Sequence, residues 1–334
     1  MNLNVRIAAA AYAVPPDEES VEAILAREHR RVEETLAPLT PLARQRALDN
    51  LGLCRVRVCR DKQPYELTLE AAKAAIAEAG IQAKQIDLIL DFSTFPGKVS
   101  QAISSAHHLS ADLGADSSLN LSFRAGGCGA LHLAIQTALG WMSMDERIRT
   151  ALLVTGDSAP PENRTLLPIT VQGDAASAVI LRRDSERGPL ILGVDAMTLG
   201  HLHSAIAITQ HEGRIQLVAD ALCIEHKVMP IFYLHLFRLA TKVLAGQGLR
   251  LSDVDHFIYS NISRRDRDGF RRMVGLPEGG LPATRMTELG HTFASDLVIN
   301  YAELQREGRI LPGQLLLFAS AGIGFTWGVT LARA

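Results

Sequence analysis

At 334 residues, 47% of them apolar and 21% charged, the chain has ordinary globular composition and the length for one large domain or two similar halves around a substantial core. A net charge of −2 leaves no electrostatic footprint for nucleic acid or an anionic membrane. No run of about eighteen apolar residues occurs, and residues 1–16 lack a basic start followed by a long apolar stretch, so the expectation is a soluble, cytoplasmic protein without a membrane segment.

Residues 6–13 read as a first strand. Residues 18–37 are charged and helical, with a proline-containing break before a further helix over 41–50. An Ala-rich helix over 67–79 ends at Gly80, which suits a C-terminal cap. Residues 86–93 form a continuous apolar strand of the buried, parallel kind. Residues 100–113 look helical, 119–123 form a short strand, and apolar positions from Leu131 to Met142 recur at helical spacing. Strands at 149–155 and 176–181 complete an alternating α/β half ending near Asp184.

The rhythm then repeats. A strand over 190–197, a helix over 231–245, a strand over 256–259 and a closing pair at 314–320 and 328–334 make up the second half. In both halves a helix, a short acidic turn (81–87 and 251–255) and an apolar strand follow one another. This pattern predicts an α/β fold of duplicated βαβαβ units, spanning 1–184 and 185–334, with the active centre where the halves meet.

Cys128 lies in Arg124-Ala125-Gly126-Gly127-Cys128-Gly129-Ala130-Leu131-His132, between the strand at 119–123 and the helix that follows. A strand-to-helix elbow exposes unpaired N–H groups and the positive end of the helix dipole, which favour a thiolate. A lone cysteine reads first as a small core residue. Glycines on both sides leave room for a substrate carbonyl and favour a nucleophile instead. Cys54, Cys59 and Cys223 are scattered, with neither a disulfide framework nor a second pair for zinc, so no metal is expected.

Four segments share one resemblance: the Cys128 elbow, Gly173-Asp174-Ala175-Ala176-Ser177, Gly290-His291-Thr292-Phe293-Ala294-Ser295-Asp296, and Gly322-Ile323-Gly324-Phe325-Thr326-Trp327-Gly328. Together they resemble β-ketoacyl-acyl-carrier-protein synthase III of the thiolase superfamily, over nearly the whole chain. The resemblance implies a thiolase-like fold in five layers, αβαβα, and a homodimer. It also implies a cysteine acylated by an acyl-CoA or acyl-carrier-protein thioester, with no cofactor besides that substrate.

The departures from the family are informative. After the strand at 256–259 the family carries His-Gln-Ala-Asn, whereas this chain has Ser260-Asn261-Ile262-Ser263. The family's Gly-Asn-Thr is here Gly290-His291-Thr292. The two donors that stabilise decarboxylation of a malonyl thioester are therefore both replaced, with Ser260 and Asn261 as secondary polar candidates. His291, with Asp296 five residues on, would complete a Cys-His-Asp triad, as in a subgroup of synthase III relatives that transfer intact acyl groups. The backbone N–H groups of Cys128 and Ile323 would form the oxyanion hole, while Phe325 and Trp327 are expected in the core and Asp174 as a structural turn residue.

Donor recognition departs as well. Arg46 and Asn50 stand where the family's coenzyme A-gripping Trp and Arg would be, and Ser158-Ala159-Pro160-Pro161 replaces a second family arginine. The basic run Arg264-Arg265-Asp266-Arg267 with Arg271 and Arg272 suits an acidic carrier protein or a solvated helix face. The leading expectation is an acyltransferase that passes an acyl group from Cys128 to an acceptor hydroxyl or amine, in specialised-metabolite or fatty-acid-related biosynthesis. The alternatives are decarboxylative condensation with malonyl-carrier protein and a non-catalytic partner subunit of a heteromeric synthase.

Overall fold

The computed structural model describes residues 3–95, 104–160, 162–211, 214–282 and 285–334. Two strand sets meet edge to edge in a nine-stranded sheet. The first set comprises β1 (Val5–Ala13), β2 (Leu88–Asp91), β3 (Leu119–Ser122), β4 (Thr150–Asp157) and β5 (Ala175–Arg183), in the order β1-β5-β4-β2-β3. The second comprises β6 (Leu190–Thr198), β7 (His256–Tyr259), β8 (Leu315–Gly322) and β9 (Thr326–Arg333), in the order β6-β9-β8-β7. Pairing sense repeats between the sets. β1–β5 and β5–β4 are antiparallel and β4–β2 parallel; β6–β9 and β9–β8 are antiparallel and β8–β7 parallel. The sets join where β1 pairs with β6 at Arg6 and Leu190.

Residue alternation explains the layering. In β4, Ala151 and Leu153 pack into the inner layer while Leu152 and Val154 pack outward; in β8, Leu316 and Phe318 point in while Leu315 and Leu317 point out. Strands apolar on both faces need helices on both. Helices α1 (Pro64–Ala79) and α2 (Ser105–Leu113) cover the first set, and α4 (Met229–Ala245) and α5 (Arg264–Met273) cover the second. Helices α3 (Ala130–Met144) and α6 (Ser295–Arg306) fill the space between, giving the αβαβα thiolase-like arrangement. Each fully buried Leu or Val in this middle layer contributes about 1.5–3 kcal/mol.

Most expected elements lie within a few residues of their observed bounds, and three stretches differ. The stretch 18–37 is not one helix. Glu18–Ser20 pairs with Arg55–Arg57, Ser20 caps Val21–Arg27, and the chain breaks at Glu28 before His29–Leu36. Glu28 is drawn inward, where its carboxylate accepts the N–H groups of Arg164 (2.9 Å) and Thr165 (3.0 Å) and the Thr165 hydroxyl (2.6 Å). The helix expected from residue 100 is α2, from Ser105; residues 100–103 and Pro161 lie outside the described residues.

The third difference is the basic run at 264–267, which is not a uniformly solvated face. Asp266 is buried, and Arg267 turns inward to the carbonyls of Tyr259 (3.3 Å) and Pro282 (2.8 Å). A hairpin of Ile206–His211 and Arg214–Ala219 and a wide helical turn over Ile224–Val228 had no counterpart in the sequence pattern. That turn continues into α4, and the stretch 221–245 is by length and composition apolar enough to cross a membrane. Here Phe232, Leu236, Leu239 and Leu244 instead pack against the second strand set.

Candidate active site

The elbow forms because glycine permits it. Gly126 and Gly127 adopt φ of +88° and +49°, and Gly127–Gly129 make a tight turn that feeds α3. The turn between β8 and β9 presses against it. A Cβ on Gly322 would lie 2.0 Å from the Gly126 oxygen and 2.4 Å from the Cys128 nitrogen, and one on Gly127 would lie 2.8 Å from the Ile323 nitrogen. The backbone nitrogens of Cys128 and Ile323 thus belong to two touching turns. One helical turn beyond the sulfur, fully buried His132 ties α3 to both strands of that hairpin, contacting Ser320 (3.1 Å) and Thr330 (2.8 Å).

His291 arrives from the opposite half. Its N–H donates to the Val171 carbonyl (3.2 Å), and its carbonyl accepts the Gly173 N–H (3.0 Å), so its loop is stitched to the segment before β5. The ring's Nε2 stands 3.0 Å from Cys128 Sγ, and its Nδ1 stands 2.6 Å from Asp296 Oδ2. Asp296, at the start of α6, is wholly buried and accepts further hydrogen bonds from the Asn261 N–H (2.6 Å), the Thr292 N–H (2.8 Å) and the Thr292 hydroxyl (2.7 Å). Between them Phe293 takes the left-handed backbone at φ +56°, a strained setting that folds the carboxylate back onto the ring.

Burial alone would push the imidazolium pKa down. The Cys128 sulfur and the Asp296 carboxylate outweigh it, and His291 holds its proton well above the usual imidazole range. The 3.0 Å contact sets the imidazole within reach of the Cys128 proton.

A cavity, partly open to solvent, runs from Cys128 and His291 between Leu166, Ile206, Phe232 and Ile323. Phe325 and Trp327 are both buried, and Phe325 also lines the cavity, so it is more than core packing. A second basin, lined by Arg46 and Asn50, shares Pro168, Glu225 and Arg265 with the first.

Ser260 and Asn261 do not line the cavity. The Asn261 side chain is locked by Asn300 (3.1 and 3.0 Å) and Arg267 (3.2 Å), and its backbone serves Asp296. Among the described residues the buried Ser260 hydroxyl has no hydrogen-bond partner. Arg164, the next arginine after β4, is occupied elsewhere. It grips Asp174 with two hydrogen bonds (2.6 and 2.9 Å), and Asp174 also holds the N–H groups of Cys59 and Ala159. Among the described residues no group of three or more His, Cys, Asp or Glu side chains is placed to hold a metal.

Residues 244–334 match the family described as 3-oxoacyl-[acyl-carrier-protein (ACP)] synthase III C terminal. A β-ketoacyl-[acyl-carrier-protein] synthase III from Rhodospirillum rubrum is 27% identical over 291 residues, covering 84% of this chain and 87% of that one. The solved 3-oxoacyl-[acyl-carrier-protein] synthase III from Aquifex aeolicus superposes with TM-score 0.80 at 20% identity, over 99% of this chain and 100% of that one. A structure named "ChlB3 [Aceyltransferase]" does so with TM-score 0.82 at 22% identity, over 99% and 98%. These matches make the chain similar in sequence to β-ketoacyl-acyl-carrier-protein synthase III over most of its length, and similar in fold to the solved enzymes of that name.

Proposed function

We propose that the protein is an acyltransferase. It accepts an acyl group from a coenzyme A or carrier-protein thioester on Cys128 and passes it to an acceptor hydroxyl or amine. What the relatives' names carry over is coarser, an acyl-transferring or acyl-condensing enzyme. The observation that favours transfer is the run of contacts Cys128–His291–Asp296, at 3.0 and 2.6 Å, in a cavity where Ser260, at the family's histidine position, stands outside the lining.

In this reading the Cys128 thiolate attacks the thioester carbonyl, and the carbonyl oxygen develops charge against the backbone N–H groups of Cys128 and Ile323. The donor thiol leaves with a proton from His291. Acylation removes the sulfur's charge, one of the two influences that held the ring protonated, so His291 can then take the acceptor's proton. Asp296 fixes the ring by its Nδ1 edge. Arg46, Asn50 and Arg265 around the outer basin would receive the phosphate-bearing end of the donor.

Decarboxylative condensation is the second reading, favoured by the name of the Rhodospirillum rubrum relative. The test is to form the acyl-enzyme and add malonyl-carrier protein. Transfer predicts no release of carbon dioxide and no 3-oxoacyl product, whereas stoichiometric carbon dioxide would establish condensation.

A further inference from the structure

Asn300 stands one turn beyond Asp296 on α6, so the two side chains share a helix face, and both reach the segment that follows β7. Asn300 is 4% exposed and Asn261 wholly buried. Asn300 Nδ2 donates to the Tyr259 carbonyl (2.8 Å) and to Asn261 Oδ1 (3.0 Å), and Asn300 Oδ1 accepts from Asn261 Nδ2 (3.1 Å). Arg267, on α5, donates to the carbonyls of Tyr259 (3.3 Å) and Ser260 (3.5 Å) and to Asn261 Oδ1 (3.2 Å). The peptide that carries the Asn261 N–H is thus held on both sides, and that N–H meets Asp296 Oδ2 at 2.6 Å.

Neither Asn261 nor Asn300 lines the cavity, so neither touches what the cavity holds. Burying two amides is costly unless their hydrogen bonds are met, and here they meet each other. What the pair secures is a fixed donor on the carboxylate. A carboxylate that loses an N–H donor becomes more basic and holds an imidazolium partner more tightly. His291 Nδ1 lies 2.6 Å from that same Oδ2. The charged and titratable groups facing the pair are Cys128 from the elbow and, from α5, Asp266 toward His291 and Arg267 toward Asp296. Once Cys128 is acylated its influence is gone, and Asp296 is the nearest group acting on the ring.

We propose that Asn300 is a positioning residue: by gripping Asn261 it keeps the Asn261 N–H on Asp296 and so sets the pH at which His291 loses its proton in the acyl-enzyme. This rests on the Cys128–His291–Asp296 reading of the site and adds to it a residue that acts from outside the cavity.

The test is hydrolysis of the acetyl-enzyme, followed by intact-protein mass from about pH 5 to about pH 9, a range that spans imidazole titration. Water serves as the acceptor, so no other acceptor has to be known, and His291→Ala supplies the hydroxide background. In the wild type the rate should rise with pH through one step that His291→Ala abolishes. In Asn300→Ala that step should move up by about half a unit to one unit, because the carboxylate has lost a donor. Asn261→Ala keeps the backbone N–H and removes only the side chain that Asn300 grips. It should move the step in the same direction, and it guards against misfolding of the first variant. A step that stays at the wild-type pH or moves down, in either folded variant, overturns the proposal, since loosened packing alone lowers the rate without moving the step. A wild-type profile with no step that depends on His291 overturns the triad reading itself, and the positioning role with it.

Discussion

The Asn261 backbone N–H donates a 2.6 Å hydrogen bond to Asp296 Oδ2, the same oxygen that lies 2.6 Å from His291 Nδ1. The segment that follows β7 thus supports, through its backbone, the carboxylate that holds His291.

Replacing Asp296 should therefore injure both chemistry and fold. Asp296→Asn places an amide N–H₂ against one pair of donors, and each buried donor left unmet costs about 1–3 kcal/mol. We expect a loss of about 2–4 kcal/mol in denaturant unfolding and a transfer rate reduced about 10²-fold. His291→Ala should lose about 10²–10⁴-fold in rate. Single-turnover transfer from acyl-enzyme measures both, and unchanged rates in the two variants would remove the triad.

Gly322→Ala tests the contact between the two turns. Its Cβ would meet the Gly126 oxygen at 2.0 Å and the Cys128 nitrogen at 2.4 Å, so the elbow must shift. A displacement of about 1 Å at a reacting group costs about 10²-fold in rate. Acyl-enzyme formation should slow by that order while far-UV circular dichroism stays unchanged. Gly140→Ala serves as the contrast: it is exposed in α3 with nothing within 4 Å, and it should gain about 0.5–1 kcal/mol in stability.

His132 predicts an acid-sensitive fold. Burial holds its pKa down to about 3, whereas in the unfolded chain it titrates near 6.5. The unfolded state thus binds the extra proton first, and stability falls as the pH drops below about 6.5, by about 2 kcal/mol at pH 5. His132→Gln has no such proton. Its stability deficit against the wild type, measured by urea unfolding at pH 7 and pH 5, should shrink by about that amount. A deficit independent of pH would refute the assignment.

Arg164 and Asp174 form a buried, two-pronged ion pair. Breaking such a pair costs about 3–5 kcal/mol. Arg164→Ala should therefore appear as a lowered urea midpoint. A raised KM for the acyl donor, with stability unchanged, would instead make Arg164 a donor ligand.

Patterns carried by periodicity were legible in the sequence. The strand His256–Tyr259 stands where its apolar run placed it, and the elbow at Cys128 follows from glycines between a strand and an apolar helix. Strand pairing repeats between the halves as the helix–turn–strand rhythm suggested. Roles played by the backbone were not legible. Nothing in Ser260-Asn261 shows that an N–H would serve Asp296 while the Asn261 side chain turns to Asn300. Charge composition misled at Glu28 and Asp266, since a carboxylate among charged neighbours looks solvated until tertiary packing draws it inward. The cavity wall at Ile206 and Ile224 comes from a hairpin and a widened helical turn, which have no simple sequence period.

The most direct measurement is the intact mass of the protein after exposure to an acyl thioester, read for the wild type and Cys128→Ala. One acyl group should be gained by the wild type and none by the variant, with peptide mapping placing it on Cys128. An unmodified wild type, or an adduct that survives in Cys128→Ala, would contradict a nucleophile poised against His291.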